Sequence, residues 1–326
     1  MQKRDLVSIN NLNRDDVLEI FQISRDLKDR LVQGDRPRLL DGRVLAMIFE
    51  KPSLRTRVTF EVGIYQLGGH AIALMQQEIG IGTREACCDI AKNLERWVDI
   101  LAVRTYGQHI LQDLAAHARI PVINALTDSE HPCQALADLF TLTEHFGEIE
   151  GLTLAYVGDG NNICNSLLLL CPLMGVNITV AGPRDYAPPR DIVAQAQRNA
   201  ALTGAKVLIL DDPIKAVRNA DMIYTDVWAS MGQEDEREGR AAIFRPYQVN
   251  AELLGHAPRG VKIMHDLPAH RGEEITDEVM DSEDSIIFDQ AENRLHVQKG
   301  VLVFLVGQPV GAGSCRPRPT RADMTR

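Results

Sequence analysis

Short apolar runs alternate with helix-patterned stretches along most of this 326-residue chain, and that alternation restricts the fold more than any other feature. Val44-Leu45-Ala46-Met47-Ile48-Phe49 is apolar throughout, as a strand buried on both faces must be. Before it lies an amphipathic series (Val17, Leu18, Ile20, Phe21, Ile23) that starts after a capping Asn13 and runs to about Leu31. After it comes a polar loop, Glu50-Lys51-Pro52. From Ser53 the positions Val58, Phe60, Val62, Tyr65 and Leu67 suit a helix ending at Gly68-Gly69, and Ala71 to Leu74 reads as the next strand. Strand, helix and strand in this order predict a right-handed βαβ unit.

The second half repeats the pattern. Leu152 to Val157 reads as a strand, Gly158 to Asn162 as a turn and Asn165 to Leu173 as a helix. Further apolar runs at Asn177 to Ala181, Lys206 to Leu210, Met222 to Thr225 and Val261 to Met264 alternate with helical stretches at Asp191 to Leu202 and Ile214 to Asn219. The expectation is an α/β protein with two doubly wound parallel-sheet domains joined by interdomain helices, hinged where Gly147 to Gly151 interrupts both patterns. Ligands of such sheets bind beyond the carboxyl ends of the strands, so chemistry is sought in the loops after Phe49, Val157, Thr225 and Met264.

Charge narrows the partners. With 45 acidic against 35 basic side chains and a formal net charge of -10, the surface does not suit unspecific binding of nucleic acid. No apolar run is long enough to span a membrane and the amino terminus has no signal-peptide pattern, which predicts a cytoplasmic protein. The six cysteines form no Cys-x-x-Cys pair and predict neither a disulfide framework nor a metal centre. The tail after about Gly311 reads as disordered.

Ser53-Leu54-Arg55-Thr56-Arg57 falls where a strand hands over to a helix. Backbone N–H groups, the helix dipole, two hydroxyls and two guanidinium groups there suit a phosphate, although a Ser-capped helix with surface arginines has the same sequence. Arg57 points away from Arg55 along a helix and is the weaker candidate. His131 and Gln134 open the helix Gln134 to His145, and with Arg104 at a strand end they supply donors for one carbonyl oxygen; each alone equally fits a structural role. Asp226 to Gly232 reads as a lid whose Asp226 pairs with a cation and whose Ser230 and Met231 close over it, or as a plain flexible loop. Asp266 sits at a strand end, and Arg294 near the start of a last helix.

In order along the chain, SLRTR, RTYG, HPCQALAD, GDGNNICNS, DVWASMGQE, HDLPAHRGEE and ENRLHVQK resemble the aspartate and ornithine carbamoyltransferase superfamily, from about residue 5 to about residue 307. The Ser-Met-Gly loop is similar to that of the ornithine branch. The resemblance implies that Ser53, Leu54, Arg55 and Thr56 bind the phosphate of carbamoyl phosphate, and that Arg104, His131 and Gln134 hold its carbamoyl oxygen. It implies that Asn162, Asp226, Ser230 and Met231 bind L-ornithine, that Asp226 faces the amine, and that Asp266, Leu267 and Arg294 complete the reacting centre. Also implied are a carbamoyl-phosphate domain of residues 1–147, joined by a returning helix and tail at 295–326, an amino-acid domain of 148–294, and a homotrimer or multiple of trimers with shared sites. Carbamoyl transfer needs a neutral amine, a polarised carbonyl and a stabilised leaving phosphate, and no metal or cofactor.

Two positions depart from the family pattern. His265-Asp266-Leu267-Pro268 carries a carboxylate where family members carry a cysteine, and Gly80 stands where many ornithine enzymes have a glutamine that reaches the neighbouring subunit. A second acid beside Asp226 favours an ammonium ion over a free amine, unless one carboxyl is protonated or acts as base. It leaves open another amine acceptor, such as putrescine or a shorter diamino acid, and an impaired homologue. Gly158-Asp159-Gly160 after a strand admits a dinucleotide site as well, but Ile163 takes the place of the third glycine.

Overall fold

The computed structural model describes residues 4–81, 84–229 and 234–307. Helix α1 (Arg14–Val32) begins at Asn13, whose side chain accepts from Asp16 N–H while the Asp16 carboxylate accepts from Asn13 N–H. The first lobe continues through β1 (Val44–Phe49), α2 (Arg55–Gln66), β2 (His70–Met75), α3 (Gln76–Ile79), α4 (Cys87–Leu94), β3 (Ile100–Arg104), α5 (Gln108–His117), β4 (Val122–Leu126) and α6 (Pro132–Phe146). The second contains β5 (Thr153–Val157), α7 (Asn162–Leu173), β6 (Asn177–Ala181), α8 (Arg190–Thr203), β7 (Val207–Leu210), α9 (Pro213–Val217) and β8 (Met222–Thr225). It goes on through α10 (Arg237–Phe244), α11 (Ala251–Leu254), β9 (Lys262–His265) and α12 (Asp277–Met280), and α13 (Ile287–Val306) closes the chain.

Both sheets are parallel, ordered β2-β1-β3-β4 and β7-β6-β5-β8-β9. Alternate residues of each central strand enter different cores, as a sheet covered on both faces requires. Leu45, Met47 and Phe49 join the large core of α1, α2, α6 and α13, whereas Ala46 and Ile48 meet Ile90, Leu94, Leu111 and Leu114. In β5, Leu154 and Tyr156 belong to that same large core, while Ala155 and Val157 face Val217 and Leu253. One apolar core thus runs from lobe to lobe through α6, α7 and α13, and α13 packs back on α1, α2 and α6.

Several elements differ from the sequence expectation. Helix α7 starts at Asn162, three residues before Asn165, because the Asn161 side chain caps it by accepting from the N–H groups of Ile163 and Cys164. Helix α13 starts at Ile287, so Arg294 lies two turns in and not near its beginning. Ser53 is not the cap of α2: Leu54 holds that position, with no side-chain cap. In the loop after β2, Gln76 turns onto its own segment, accepting Ile81 N–H at 3.3 Å. Ser230 and Met231 lie outside the described residues, as does the tail expected to be disordered.

Candidate active site

Strand order changes direction between β1 and β3 in one sheet and between β5 and β8 in the other. Loops leaving such strands diverge to opposite faces and open a crevice at their carboxyl ends. The two crevices face each other across a cavity of about 990 Å³, lined by Ser53, Leu54, Arg55, Thr56, Arg104, His131, Asn162, Asp226, Asp266, Leu267 and Arg294 among others. Of the described residues singled out in the sequence, only the weaker candidate Arg57 and Gln134, which stands one layer behind it, are outside this wall.

One side of the cavity is cationic. The first intrahelical bond of α2 is Val58 N–H to Leu54 carbonyl, so the preceding amides have no helical acceptor and no side chain caps them. Arg55, Arg104 and Arg294 stand around this helix start. Arg294 is buried on α13 and donates to the Thr56 hydroxyl at 2.6 Å and to Gln134 Oε1. Gln134 passes the chain on, donating from Nε2 to Asp138 Oδ1 at 2.7 Å; Gln290 and Tyr224 also donate to Asp138. Burial pushes the Asp138 carboxyl up to about 7 despite those donors. Arg104 is lowered to about 10, by burial first and then by Arg294, and stays charged at neutral pH. Arg57 leaves the site and pairs with Glu61 at 2.9 Å.

His131 is 2% exposed and forms the N-cap of α6, ahead of the first helical turn, where its backbone N–H donates to Ser166 of α7 at 2.7 Å. Burial, with Arg294, Arg104 and Arg55 nearby, holds its pKa well below the ordinary histidine value. The ring is therefore a neutral donor–acceptor. Asn162 donates to Thr127 carbonyl at 2.8 Å and Asn165 to Ser129 carbonyl at 3.0 Å, so the start of α7 is fastened to the loop carrying His131.

The opposite side is anionic. Asp226 follows β8, and its carboxylate accepts from Asn161 Nδ2 at 2.6 Å and from Val227 N–H at 2.7 Å. Asp266 follows β9, and its carboxylate comes within 4.8 Å of that of Asp226. Leu267, at φ +61, donates its N–H to His265 Nδ1 at 2.9 Å, and its carbonyl accepts from Arg55. Because Nδ1 of His265 is an acceptor, its proton sits on Nε2, which donates to Glu274 Oε1 at 3.1 Å.

Among the described residues, two groups bring three ligand-type atoms within 4.8 Å: Asp226, His265 and Asp266, and His270, Glu273 and Glu274. In the first the His265 lone pair is already used, so it is a hydrogen-bonded cluster. In the second, Glu273 is paired with Arg237 at 2.5 Å. The two glycines of Gly158-Asp159-Gly160 serve backbone packing and not a dinucleotide. Gly158 has φ +147, and a Cβ on Gly160 would stand 2.5 Å from Pro188 N. Asp159 between them pairs with Arg240 at 3.0 Å.

Sequence reasoning missed Lys51, whose buried ammonium pairs with Asp128 and sits 4.2 Å from the Tyr106 ring centroid, facing the cavity. Its place beside the SLRTR box was the available signal. Asn161 and the Asp138–Tyr224–Gln290 cluster were missed too, and no local pattern marks them.

A cationic helix start opposite a carboxylate pair, across a crevice between two parallel sheets, defines an enzyme that passes a group from an oxyanionic donor to a basic acceptor. The chain belongs to the aspartate/ornithine carbamoyltransferase family. The family's carbamoyl-P binding domain matches residues 4–144, and its Asp/Orn binding domain residues 150–305. An ornithine carbamoyltransferase of Pyrococcus horikoshii is 48% identical over 94% of this chain and 97% of its own length. That of Thermosynechococcus vestitus is 51% identical over 94% and 97%. The solved ornithine carbamoyltransferase of Pyrococcus furiosus superposes with a TM-score of 0.91 at 48% identity, over 93% of this chain and 97% of that one. No described helix is long and apolar enough to cross a membrane.

Proposed function

We propose that this protein transfers the carbamoyl group of carbamoyl phosphate to the side-chain amine of L-ornithine, giving L-citrulline and phosphate. The observation that carries the reading is the polarity of one cavity, with three arginines and an uncapped helix start at one side and Asp226 with Asp266 at the other. In this reading Ser53, Arg55, Thr56 and the Leu54 amide hold the phosphate, with Arg294 fixing Thr56. Neutral His131 and charged Arg104 polarise the carbamoyl oxygen, and Gln134 acts through Arg294, to which it is bonded. Asn162, Asp226, Ser230 and Met231 take the amino acid, with Asp226 on its side-chain amine, and Leu267 closes the reacting centre beside Arg55. Developing charge on the leaving phosphate then meets cations already in place, which need no reorganisation.

The same reading divides the chain into a carbamoyl-phosphate domain of residues 1–147 with 295–326 and an amino-acid domain of 148–294, supported by the packing of α13 on α1, α2 and α6. It assembles the protein as a homotrimer in the cytoplasm. Tyr65 on α2, 71% exposed, and the exposed Ile72 on edge strand β2 favour a covered face in the assembly.

Phosphate release from carbamoyl phosphate, measured with a panel of amines across pH, tests the reading. Turnover with L-ornithine above putrescine and shorter diamino acids supports it. A preference for another amine, or no amine-dependent release, contradicts it.

A further inference from the structure

Asp226 and Asp266 are neighbours with unequal surroundings. Asp226 has two N–H donors, from Asn161 and Val227. Asp266 has none among the described residues: its Oδ1 is buried without a hydrogen-bond partner, and a carboxyl oxygen of each aspartate lies within 4.8 Å of the other's. The nearest ring nitrogen, His265 Nδ1 at 3.6 Å, is already an acceptor for Leu267 N–H. Ionised carboxylates only accept hydrogen bonds and repel one another, so two of them this close, one without any donor, favour holding a proton between them.

The charged groups facing the pair do not remove that preference. Arg55 is turned to the Leu267 carbonyl and Arg294 to Gln134 and Thr56, while Arg104 acts on Asp266 at longer range. Asp159 adds negative charge, Asp138 adds it only as it ionises near pH 7, Tyr156 and Tyr224 are neutral, and His265 offers the pair no donor from Nδ1, which accepts from Leu267 N–H. Burial first, and then the Asp226 charge, push the Asp266 carboxyl well above its ordinary range.

We propose that Asp226 and Asp266 hold one proton between them in the resting protein, and that Asp266 is the base that frees the acceptor amine for attack. The inference rests on the carbamoyl-transfer reading. The ammonium group of the acceptor arrives between the carboxyls and displaces the shared proton to solvent. Asp266, the carboxylate without donors and so the more basic, then takes one N–H proton. The freed lone pair forms the C–N bond to the carbamoyl carbon as the C–O bond to phosphate breaks. A second N–H proton leaves on a phosphate oxygen, giving hydrogenphosphate. The pair ends with the one proton it began with, and each turnover releases one proton to solvent.

The first test needs no activity. Difference infrared spectra of parent and Asp266→Asn at neutral pH should show a protonated-carboxyl C=O band lost in the variant. Asp226→Asn should also lose it, because an amide donor lets Asp266 ionise. A parent spectrum in which neither substitution removes such a band overturns the proposal.

The second test measures proton release by calorimetry in buffers of different ionisation heat, as L-ornithine binds in saturating inorganic phosphate. About one proton should leave per chain in the parent and close to none in Asp266→Asn, and L-norvaline, which lacks the side-chain amine, should release none. Release unchanged in Asp266→Asn assigns the proton to ornithine itself and overturns the proposal. Citrulline formed by a protein that fails both tests refutes the shared proton alone. Absence of citrulline at every pH refutes the transfer reading itself.

Discussion

Replacing Arg294 by glutamine removes the one cation that the last helix delivers to the site. The guanidinium is 2% exposed and donates to Thr56 Oγ1 at 2.6 Å and to Gln134 Oε1. Each such bond from a charged donor contributes about 1.5–3 kcal/mol net, and both acceptors stay buried without it. Against that loss stands relief from a buried charge, since burial is the first cause lowering the Arg294 pKa. The two terms offset, and folding should weaken by only about 1–3 kcal/mol. Transition-state stabilisation has no such compensation. Loss of a preorganised cation at the leaving phosphate should lower kcat/KM by about a hundredfold to a thousandfold, roughly 3–4 kcal/mol.

Citrulline formation at low substrate, paired with urea unfolding in the same buffer, separates these effects. Thr56→Val, which loses one of the two partners and keeps the charge, should fall between parent and Arg294→Gln. A folded Arg294→Gln protein with kcat/KM within about threefold of the parent would refute the argument, because the charge would then not reach the reacting atoms.

Three further outcomes follow from buried charge. Asp138 has its folded pKa raised from 3.8 to about 7, so the folded state keeps a proton that the unfolded chain gives up between those values. Its contribution to stability therefore falls as pH rises through that window, and the Asp138→Asn variant should show a flatter urea midpoint between about pH 4 and 7; an unchanged slope contradicts it. Arg240→Met leaves Asp159 buried and unpaired and should cost about 3–5 kcal/mol in urea unfolding, while adding Asp159→Leu should recover much of the loss. No recovery would show that the pair is not the source. His131, kept neutral by burial and three arginines, should show no ring titration by NMR between about pH 5 and 8, and a midpoint near the ordinary value contradicts its role as a neutral donor.

The fold was legible where burial forces a simple pattern. Strands β1, β6 and β8 fall on the residues their apolar runs predicted, because both faces are covered. Strand β4 was not read, since Asn124 breaks its apolar run. That asparagine is buried and donates to Val7 carbonyl at 3.0 Å, in the segment whose Leu6 bridges β4 at Ile123. The start of α13 was read late for a related reason: Gln290, Asn293 and Gln298 are buried polar residues inside the helix and hide its inward face. The candidate site was legible as ordered motifs, and the strand-end rule located its loops. How those residues are held was not legible. The Arg294–Gln134–Asp138 relay joins α13 to α6, and the approach of Asp226 and Asp266 to within 4.8 Å brings together the loops after β8 and β9. Such contacts leave no trace in local spacing.

The central claim is that one cavity brings an oxyanion held by Arg55, Arg104 and Arg294 to an amine held by Asp226 and Asp266. It is tested most directly by following citrulline from carbamoyl phosphate carrying a labelled carbamoyl carbon and L-ornithine, for the parent and for Arg104→Ala. The label should enter citrulline with the parent, and the rate should fall by about a hundredfold or more in the variant. No labelled citrulline from the parent, or equal rates from both proteins, would contradict the account.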